Sequence, residues 1–242
     1  IITTCADQAL KIQQLADQYQ LIPCDTIHSY PLVIELNSHQ LFLHWNDGHT
    51  ISIEINFDQA NLKHRRQSSR SKDSLYKALG LKHHKNPIVI DATAGWGEDS
   101  ILMSAWGCRV IMIEQCPWLF CLLEEALSRA SKTIQENIIT LWHGDASEYI
   151  PTHSQRADII YLDPMFIDVK KKSQVKKNMQ ILRSFIQQPT ASTPQNLLSI
   201  ALKHTKNKVV MKRHKNTSAI CPQSLSYSIE GKSTSYDVYL AH

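Results

Sequence analysis

The chain has 242 residues, a formal net charge of +4, 43% hydrophobic residues and 20% charged ones. These values are ordinary for a soluble globular protein, long enough for one large domain or a domain with a small appendage. No apolar run approaches the ~18 residues needed to span a bilayer, and no secretory signal pattern opens the chain. We therefore expect no membrane association and a cytoplasmic protein.

Cysteine and histidine spacing argues against disulfide and metal frameworks. The six cysteines include no C-x-x-C pair, which favours reduced thiols in a cytosolic protein. The twelve histidines form no H-x-x-x-H pair within a helical pattern, so we predict no metal site.

Most of the positive charge is concentrated in three segments. Residues 61–85, 169–177 and 203–215 together hold 19 of the 26 lysines and arginines, and only one acid, Asp73. A basic run is often only a solvated face. Three runs close to predicted ligand-binding strand ends nevertheless favour a polyanionic partner.

Residues 1–60 predict a small N-terminal α+β lobe. Residues 6–20 have apolar side chains at helical spacing, and residues 32–36, 40–45 and 50–57 predict an antiparallel meander of three strands. Residues 61–86 predict a basic linker and helix. Its serine-rich part, 61–74, is expected to be a mobile or ligand-ordered loop, and Gly80 ends the helix.

From residue 87 to 242 the pattern alternates between strand and helix. Strands are predicted at 88–92, 109–114, 138–143, 157–163 and 208–212, and helices at 98–106, 117–130, 175–186 and 197–204. Residues 225–229 and 235–240 predict a closing antiparallel hairpin. Such alternation indicates an α/β fold with a mostly parallel, Rossmann-like sheet.

A glycine-containing turn follows the first of these strands. Residues 91–97 read Asp-Ala-Thr-Ala-Gly-Trp-Gly, and Gly95 and Gly97 allow a tight turn with close backbone approach to a ligand. Position 100 is Ser, so the full G-x-G-x-x-G pattern is absent, and an ordinary structural turn would also explain the two glycines.

Four successive strands end in or near an acid: Asp91, Glu114, Asp145 and Asp163. Parallel strands end at one edge, so these acids should line one site. They would repel a pyrophosphate, and no Walker lysine is present, which disfavours a nicotinamide oxidoreductase. A cationic nucleoside such as S-adenosylmethionine fits better, with Glu114 accepting from ribose hydroxyls and Asp145 from adenine. Helix caps and turns are the alternative roles for these acids.

The last acid opens a second motif. The apolar run 159–162 is followed by Asp163, Pro164, Met165 and Phe166. The proline stops the strand. A carboxylate, an exposed carbonyl and an aromatic ring at one strand end predict a site for a flat, amine-bearing group, although Phe166 could instead belong to the core.

These motifs resemble those of class I S-adenosylmethionine methyltransferases, and the second is similar to the D/N-P-P-Y/F signature of enzymes that methylate exocyclic amines. The resemblance to the ribosomal small-subunit methyltransferase J (RsmJ) family is closer, covering about 62–240. It rests on residues 63–66 (Lys-His-Arg-Arg), 91–99, 163–166, 175–177, 209–213 and 236–239. It implies methylation of N2 of guanine 1516 in 16S rRNA, free or in the 30S subunit, with S-adenosylmethionine as donor.

The resemblance also implies which residues act. Asp163, Pro164 and Phe166 would be catalytic, accepting the amine hydrogens and stacking on the base. The resemblance implies cofactor contacts at Glu98, Asp99, Glu114, Gln115, Asp145, Ala146 and Asp163, and the turn after the first strand of the domain adds Asp91, Gly95 and Gly97. Two positions depart from the family. This chain has Glu98 where the family often has a basic residue, and Gln115 where the family often has Arg.

The basic runs are predicted to grip the phosphate backbone along the carboxyl-end rim. The candidate RNA-binding residues are Lys63, Arg65, Arg66, Arg70, Lys170, Lys171, Lys172, Lys212 and Arg213.

Two alternative functions stay open. One is an exocyclic-amine methyltransferase acting on another RNA, on DNA or on a protein amide. The other is a catalytically silent RNA-binding protein with the same fold.

Overall fold

The computed structural model describes residues 2–4, 9–28, 30–38, 40–47, 49–68, 70–153, 157–164 and 193–241. In these residues the strands form two sheets. The predicted helix at 175–186, most of the predicted loop at 188–194, and Met165 lie outside them.

The smaller sheet has the order β1-β2-β3-β4. Its strands are β1 (Ile2–Thr4), β2 (Leu32–Asn37), β3 (Gln40–Asp47) and β4 (His49–Ile53). The three-stranded antiparallel meander predicted from the sequence corresponds to β2, β3 and β4. β1 was not predicted, because three residues carry no periodic signal and their parallel pairing with β2 is nonlocal.

The larger sheet has the order β10-β11-β9-β8-β5-β6-β7. Its strands are β5 (Ile88–Asp91), β6 (Arg109–Glu114), β7 (Ile139–His143), β8 (Ile159–Leu162), β9 (Lys208–His214), β10 (Tyr227–Glu230) and β11 (Thr234–Leu240). The pairs from β9 through β8, β5 and β6 to β7 are parallel. The C-terminal hairpin adds two antiparallel strands. The predicted fold class is confirmed.

Helices cover both faces of this sheet. The helices of the described residues, in chain order, are α1 (Ala9–Tyr19), α2 (Ala60–Gln67), α3 (Ser74–Leu79), α4 (Glu98–Ala105), α5 (Pro117–Arg129), α6 (Lys132–Gln135), α7 (Ala146–His153) and α8 (Pro194–His204). Single 3-10 turns occur at Arg70–Lys72 and Pro222–Ser224. Among the described residues, no helix combines the length and apolar character needed to cross a membrane.

The expectation of a mobile loop at 61–74 is wrong. This stretch contains most of α2, a 3-10 turn and the start of α3. Leu62 is buried, and Asp73 caps α3 by accepting hydrogen bonds from two backbone N–H groups. Two arginines of α2 are ion-paired, which offsets the mutual repulsion of the basic side chains in this stretch.

The helix predicted at 197–204 begins earlier, at Pro194. The Thr193 side chain accepts a hydrogen bond from the Asn196 N–H, and Pro194 occupies the first turn, both of which are helix-start signals. α6 and α7 were not predicted. α6 is only one turn long, and α7 carries Pro151.

The buried apolar residues form two clusters on opposite faces of the large sheet. One joins alternate residues of β5, β6 and β8 to α3, α4 and α5 and continues into the N-terminal sheet. The other joins the remaining strand residues to α7 and α8. Each fully buried aliphatic side chain contributes about 1.5–3 kcal/mol. Covering both faces in this way is what makes the central strands continuous apolar runs.

A buried ion pair ties β9 to β11. Arg213 Nε donates to Asp237 Oδ2 at 2.7 Å, and the two side chains are 13% and 1% exposed. The guanidinium also donates to the Thr217 carbonyl at 2.6 Å. Arg213 was predicted to contact RNA. In the structure its guanidinium is instead paired with the buried Asp237 carboxylate.

Replacing Asp237 with Ala is expected to lower the free energy of unfolding by about 3 kcal/mol, because it leaves the buried Arg213 without its carboxylate. The matched control is Lys215→Ala, which breaks a solvent-exposed pair with Glu230 and should cost less than about 1 kcal/mol. Urea unfolding of both variants measures the difference. Equal losses would contradict the structural role of the buried pair.

Candidate active site

The candidate site lies where the strand order of the large sheet reverses. From β5 the chain proceeds outward to β6 and β7, then crosses back to β8 on the other side of β5. Open α/β sheets bind ligands at this position, outside the carboxyl ends of the strands. The glycine-containing loop follows β5, and Asp163 follows β8, so the two predicted motifs meet at this point.

Gly95 and Gly97 differ in what surrounds the position that a Cβ would occupy. Both have positive φ, 54° at Gly95 and 75° at Gly97. A Cβ on Gly97 would lie 3.0 Å from both Leu123 Cδ2 and Met112 Cε, so tight packing adds to the positive φ in disfavouring a side chain here. A Cβ on Gly95 would meet nothing nearer than the Thr93 carbonyl at 3.8 Å. Gly95 therefore borders open space, as close approach by a ligand requires.

Glu114, at the end of β6, holds this loop in place. Its Oε2 accepts from the Gly95 N–H at 3.0 Å and its Oε1 from the Cys116 N–H at 2.8 Å. The side chain is buried, and burial raises the pKa of Glu114 to about 7 despite these hydrogen bonds. The Glu114 carboxyl therefore stabilises the conformation of the glycine-containing loop, which was predicted to approach the ligand.

Asp91 lies deeper, at 1% exposure. Its Oδ2 accepts from Ser100 Oγ at 2.6 Å and its Oδ1 from the Thr93 N–H at 3.2 Å. Burial raises the pKa of Asp91 to about 7. With both oxygens engaged by the protein, this carboxyl joins the loop to α4, and its geometry fits support of the loop better than direct contact with a cofactor.

The remaining predicted cofactor contacts lie around the same edge. Asp145 Oδ1 accepts from the Ser147 N–H at 2.7 Å at the start of α7, which matches the helix-cap alternative. Ala146 is buried and Gln115 is exposed. Glu98, in the first turn of α4, accepts from Gln59 Nε2 at 3.3 Å.

Asp99 is the centre of a charged cluster that the motifs did not indicate. Its Oδ2 accepts from Lys212 Nζ at 2.6 Å and from the Tyr161 hydroxyl at 2.7 Å, and its Oδ1 from Arg65 at 3.4 Å. Burial opposes ionisation, but Lys212 and Arg65 outweigh it and lower the pKa of Asp99 to about 2. Asp99 is thus a fixed anion.

Asp163 belongs to the same cluster. Its Oδ2 accepts from Lys212 Nζ at 2.7 Å, and its backbone N–H donates to Thr93 Oγ1 at 2.6 Å. About a third of its side chain (34%) is exposed. Burial raises the pKa of Asp163, and Lys212 opposes that shift. Pro164 beside it is half-buried. Phe166, the predicted stacking ring, lies outside the described residues.

The predicted RNA-binding residues separate into two groups. Lys63 and Arg70 are exposed. The others in the described residues have acidic partners: Arg65 with Asp73 and Asp99, Arg66 with Asp58, Lys212 with Asp99 and Asp163, and Arg213 with Asp237. Lys170, Lys171 and Lys172 lie outside the described residues.

Sequence reasoning missed several residues that shape the site. Thr93 accepts a hydrogen bond from the Asp163 N–H, Ser100 donates to the strand-end acid Asp91, and Tyr161 donates to Asp99 of α4. A tyrosine hydroxyl inside an apolar strand was an available signal, because buried hydroxyls need partners. Trp96 Nε1 is buried without a hydrogen-bond partner among the described residues. No set of three or more potential ligands there is arranged to hold a metal.

Comparison with known proteins agrees with this geometry. A family model described as "Putative SAM-dependent methyltransferase" matches residues 14–241. Ribosomal RNA small subunit methyltransferase J of Buchnera aphidicola is 36% identical, covering 95% of this chain and 93% of that protein. Its namesake from Hydrogenovibrio crunogenus is 38% identical, covering 76% and 68%. A crystal structure of a SAM-dependent methyltransferase from Neisseria gonorrhoeae matches with a TM-score of 0.76 at 25% identity, covering 100% and 96%.

The free energy of unfolding is expected to fall as pH rises from about 4 to about 7, and replacing Asp91 with Asn should make this fall smaller. The folded carboxyl holds its proton up to about pH 7, whereas an unfolded Asp titrates near about pH 3.9. The folded state therefore binds more protons in this window, and the free energy of unfolding falls as pH rises. The Asn variant lacks this contribution.

The matched control is Ser100→Ala, which removes a hydrogen bond that lowers the pKa of Asp91. It should raise the pKa of Asp91 further and extend the same loss of stability to higher pH. Urea unfolding at a series of pH values measures all three proteins. Parallel stability curves for the Asn variant and the parent protein would contradict the raised pKa.

Proposed function

We propose that this chain, which belongs to the ribosomal RNA small subunit methyltransferase J family, transfers a methyl group from S-adenosylmethionine to the exocyclic N2 of a guanine in small-subunit ribosomal RNA. The observation that carries the proposal is the position of Asp163 and Pro164. They lie at the switch point of the sheet, and the Asp163 N–H is bonded to Thr93 of the glycine-containing loop. Acceptor groups for an amine therefore lie next to the predicted donor site.

The residues at this edge fit S-adenosylmethionine. Gly95 leaves room in front of the loop, and the buried Trp96 Nε1 lacks a partner among the described residues. The strand-end acids suit a cationic donor with ribose hydroxyls. Gly95, Gly97, Glu114, Gln115, Asp145 and Ala146 are the proposed surroundings of the donor, with Glu98 and Asp99 at the start of α4. Asp91 supports them from within.

The donor supplies an electrophilic methyl group when bound, so the protein needs no strong general base. Its task is orientation of a weak nucleophile, because the lone pair of an aromatic amine is delocalised into the ring. Asp163 Oδ1 and the Pro164 carbonyl can each accept one amine hydrogen. This holds the nitrogen lone pair toward the methyl group, in line with the sulfur. Asp163 or solvent then takes the proton that the product nitrogen releases.

The choice of guanine N2 and of position 1516 rests on the resemblance of the motifs to the family. Other amine substrates, on another RNA, DNA or a protein amide, would satisfy the same two acceptors. A silent RNA-binding protein would not require Asp163 to remain partly exposed beside the loop. The assembled 30S subunit and free 16S rRNA are the two candidate forms of the substrate.

The test is methyl transfer from labelled S-adenosylmethionine to 30S subunits and to free 16S rRNA, with the modified nucleotide mapped by mass spectrometry. We expect a single N2-methylguanosine. Asp163→Ala should reduce kcat by about a hundredfold or more, because the amine loses an orienting acceptor, while thermal unfolding shows an intact fold. Glu148→Ala removes an exposed carboxylate of α7 and is the control. Full activity of Asp163→Ala, or label on another atom, would refute the proposal.

We propose Lys63 and Arg70 as phosphate contacts, because both are exposed and no ion pair engages either among the described residues. The double variant Lys63→Glu, Arg70→Glu should weaken RNA binding and reduce the salt dependence of binding by about one unit of slope per lost contact. Donor affinity, measured by calorimetry, should not change.

The matched control is a second double variant, Lys11→Glu, Lys132→Glu, at exposed positions of α1 and α6, which changes the net charge by the same four units. It should leave RNA affinity and its salt slope close to those of the parent protein. Equal effects of the control and the first double variant would mean that only net charge matters, and would remove Lys63 and Arg70 from the proposed interface.

A further inference from the structure

We infer that Lys212 is a positioning residue for methyl transfer, which holds the Asp163 carboxylate as an anion and turns one defined oxygen of it toward the amine. This inference rests on the proposed function and deepens it. Lys212 was predicted from its basic neighbours to contact RNA. The structure assigns its ammonium to the two acids instead.

The position of Lys212 follows from sheet geometry. β9 lies next to β8, with Met211 opposite Leu162. Successive side chains of a strand point to opposite faces. Lys212 therefore shares the face of Val210 and Tyr161, and Arg213 points to the other face toward Asp237. On its own face the Lys212 ammonium reaches Asp163 Oδ2 at 2.7 Å and Asp99 Oδ2 at 2.6 Å.

These contacts give the two carboxylate oxygens of Asp163 different surroundings. Oδ2 is held by Lys212, and the backbone N–H is held by Thr93 Oγ1. Oδ1 receives no hydrogen bond from the described residues. The carboxylate is thus fixed at two points with one oxygen left to accept from a substrate amine. Fixing the acceptor matters because small misplacements of reacting groups cost large factors in rate.

The charges around Asp163 explain why a cation is needed. The titratable groups that act on it are Lys212 of β9, Asp99 of α4, Asp91 of β5 and Tyr161 of β8. Burial and Asp99 both favour the protonated form of Asp163, and Lys212 opposes them. Arg65 and Tyr236 reach the cluster through Asp99 and Lys212. A protonated Asp163 would be a poorer acceptor for the amine.

Lys212 could instead serve only to neutralise Asp99. Lys212→Met should lower both thermal stability and kcat, because it leaves two carboxylates without their shared cation. A comparison of Asp99→Asn with the double variant Asp99→Asn, Lys212→Met separates the two roles, since both proteins lack Asp99 and any contact that it makes with the donor. If Lys212 positions Asp163, kcat of the double variant, measured with saturating donor, is about a hundredfold below that of Asp99→Asn. Equal kcat values of these two variants would overturn the inference.

A second readout does not depend on activity. Titration of carboxyl-labelled aspartate by ¹³C NMR, with the Asp163 resonance identified by its loss in Asp163→Asn, reports ionisation directly. We expect the pKa of Asp163 to be higher in Lys212→Met than in the parent protein, and the acid limb of kcat to move to higher pH with it. An unchanged pKa would overturn the inference.

These readouts distinguish the inference from the proposed function. If the parent protein methylates no small-subunit RNA but the NMR shift is found, the proposed substrate is wrong and the control of Asp163 by Lys212 stands. If methylation occurs and the shift is absent, the function stands and the role of Lys212 is wrong.

Discussion

Several carboxyl groups are gathered at one edge of a parallel sheet, and the cost of burying them shapes much of the surrounding structure. A buried charge without a partner is strongly unfavourable. Glu114 is compensated by backbone N–H groups of the glycine-containing loop and of its own strand end. Asp91 is compensated by a serine hydroxyl and a loop N–H. Compensating these two acids is also what fixes the shape of the loop.

The other two acids, Asp99 and Asp163, are compensated by cations. One lysine, Lys212, bridges them, and Arg65 reaches Asp99 from α2. Arg65 also donates to Asp73, the cap of α3. The cluster therefore connects the carboxyl-end edge of the large sheet with α2 and α3, the two helices that precede β5 in the chain. Cations used in this way are unavailable to a polyanion, which restricts the proposed RNA contacts to exposed side chains.

The strands and most helices were predictable because their signals are local. Apolar runs marked the central strands, Gly80 marked the end of α3, and the glycines at 95 and 97 marked the turn after β5. The segment 61–74 was not predictable in the same way. Its composition is that of a loop. It is ordered by a buried leucine, by ion pairs of its arginines with Asp58 and Asp73, and by an ion pair with Asp99. The division into a lobe at 1–60, a linker at 61–86 and a domain at 87–242 remains a prediction.

The sequence by itself determined the fold class, the glycine-containing turn, the strand-end acids and the corner at Asp163 and Pro164, because each depends on neighbouring residues. Only the tertiary structure decided what the charged side chains do. Lys212 meets Asp99 across 113 residues and Asp163 across 49, and Arg213 meets Asp237 on the opposite face. A basic run reads the same whether its charges face water or a buried acid. The strand order decides between these outcomes, because it sets which side chains share a face.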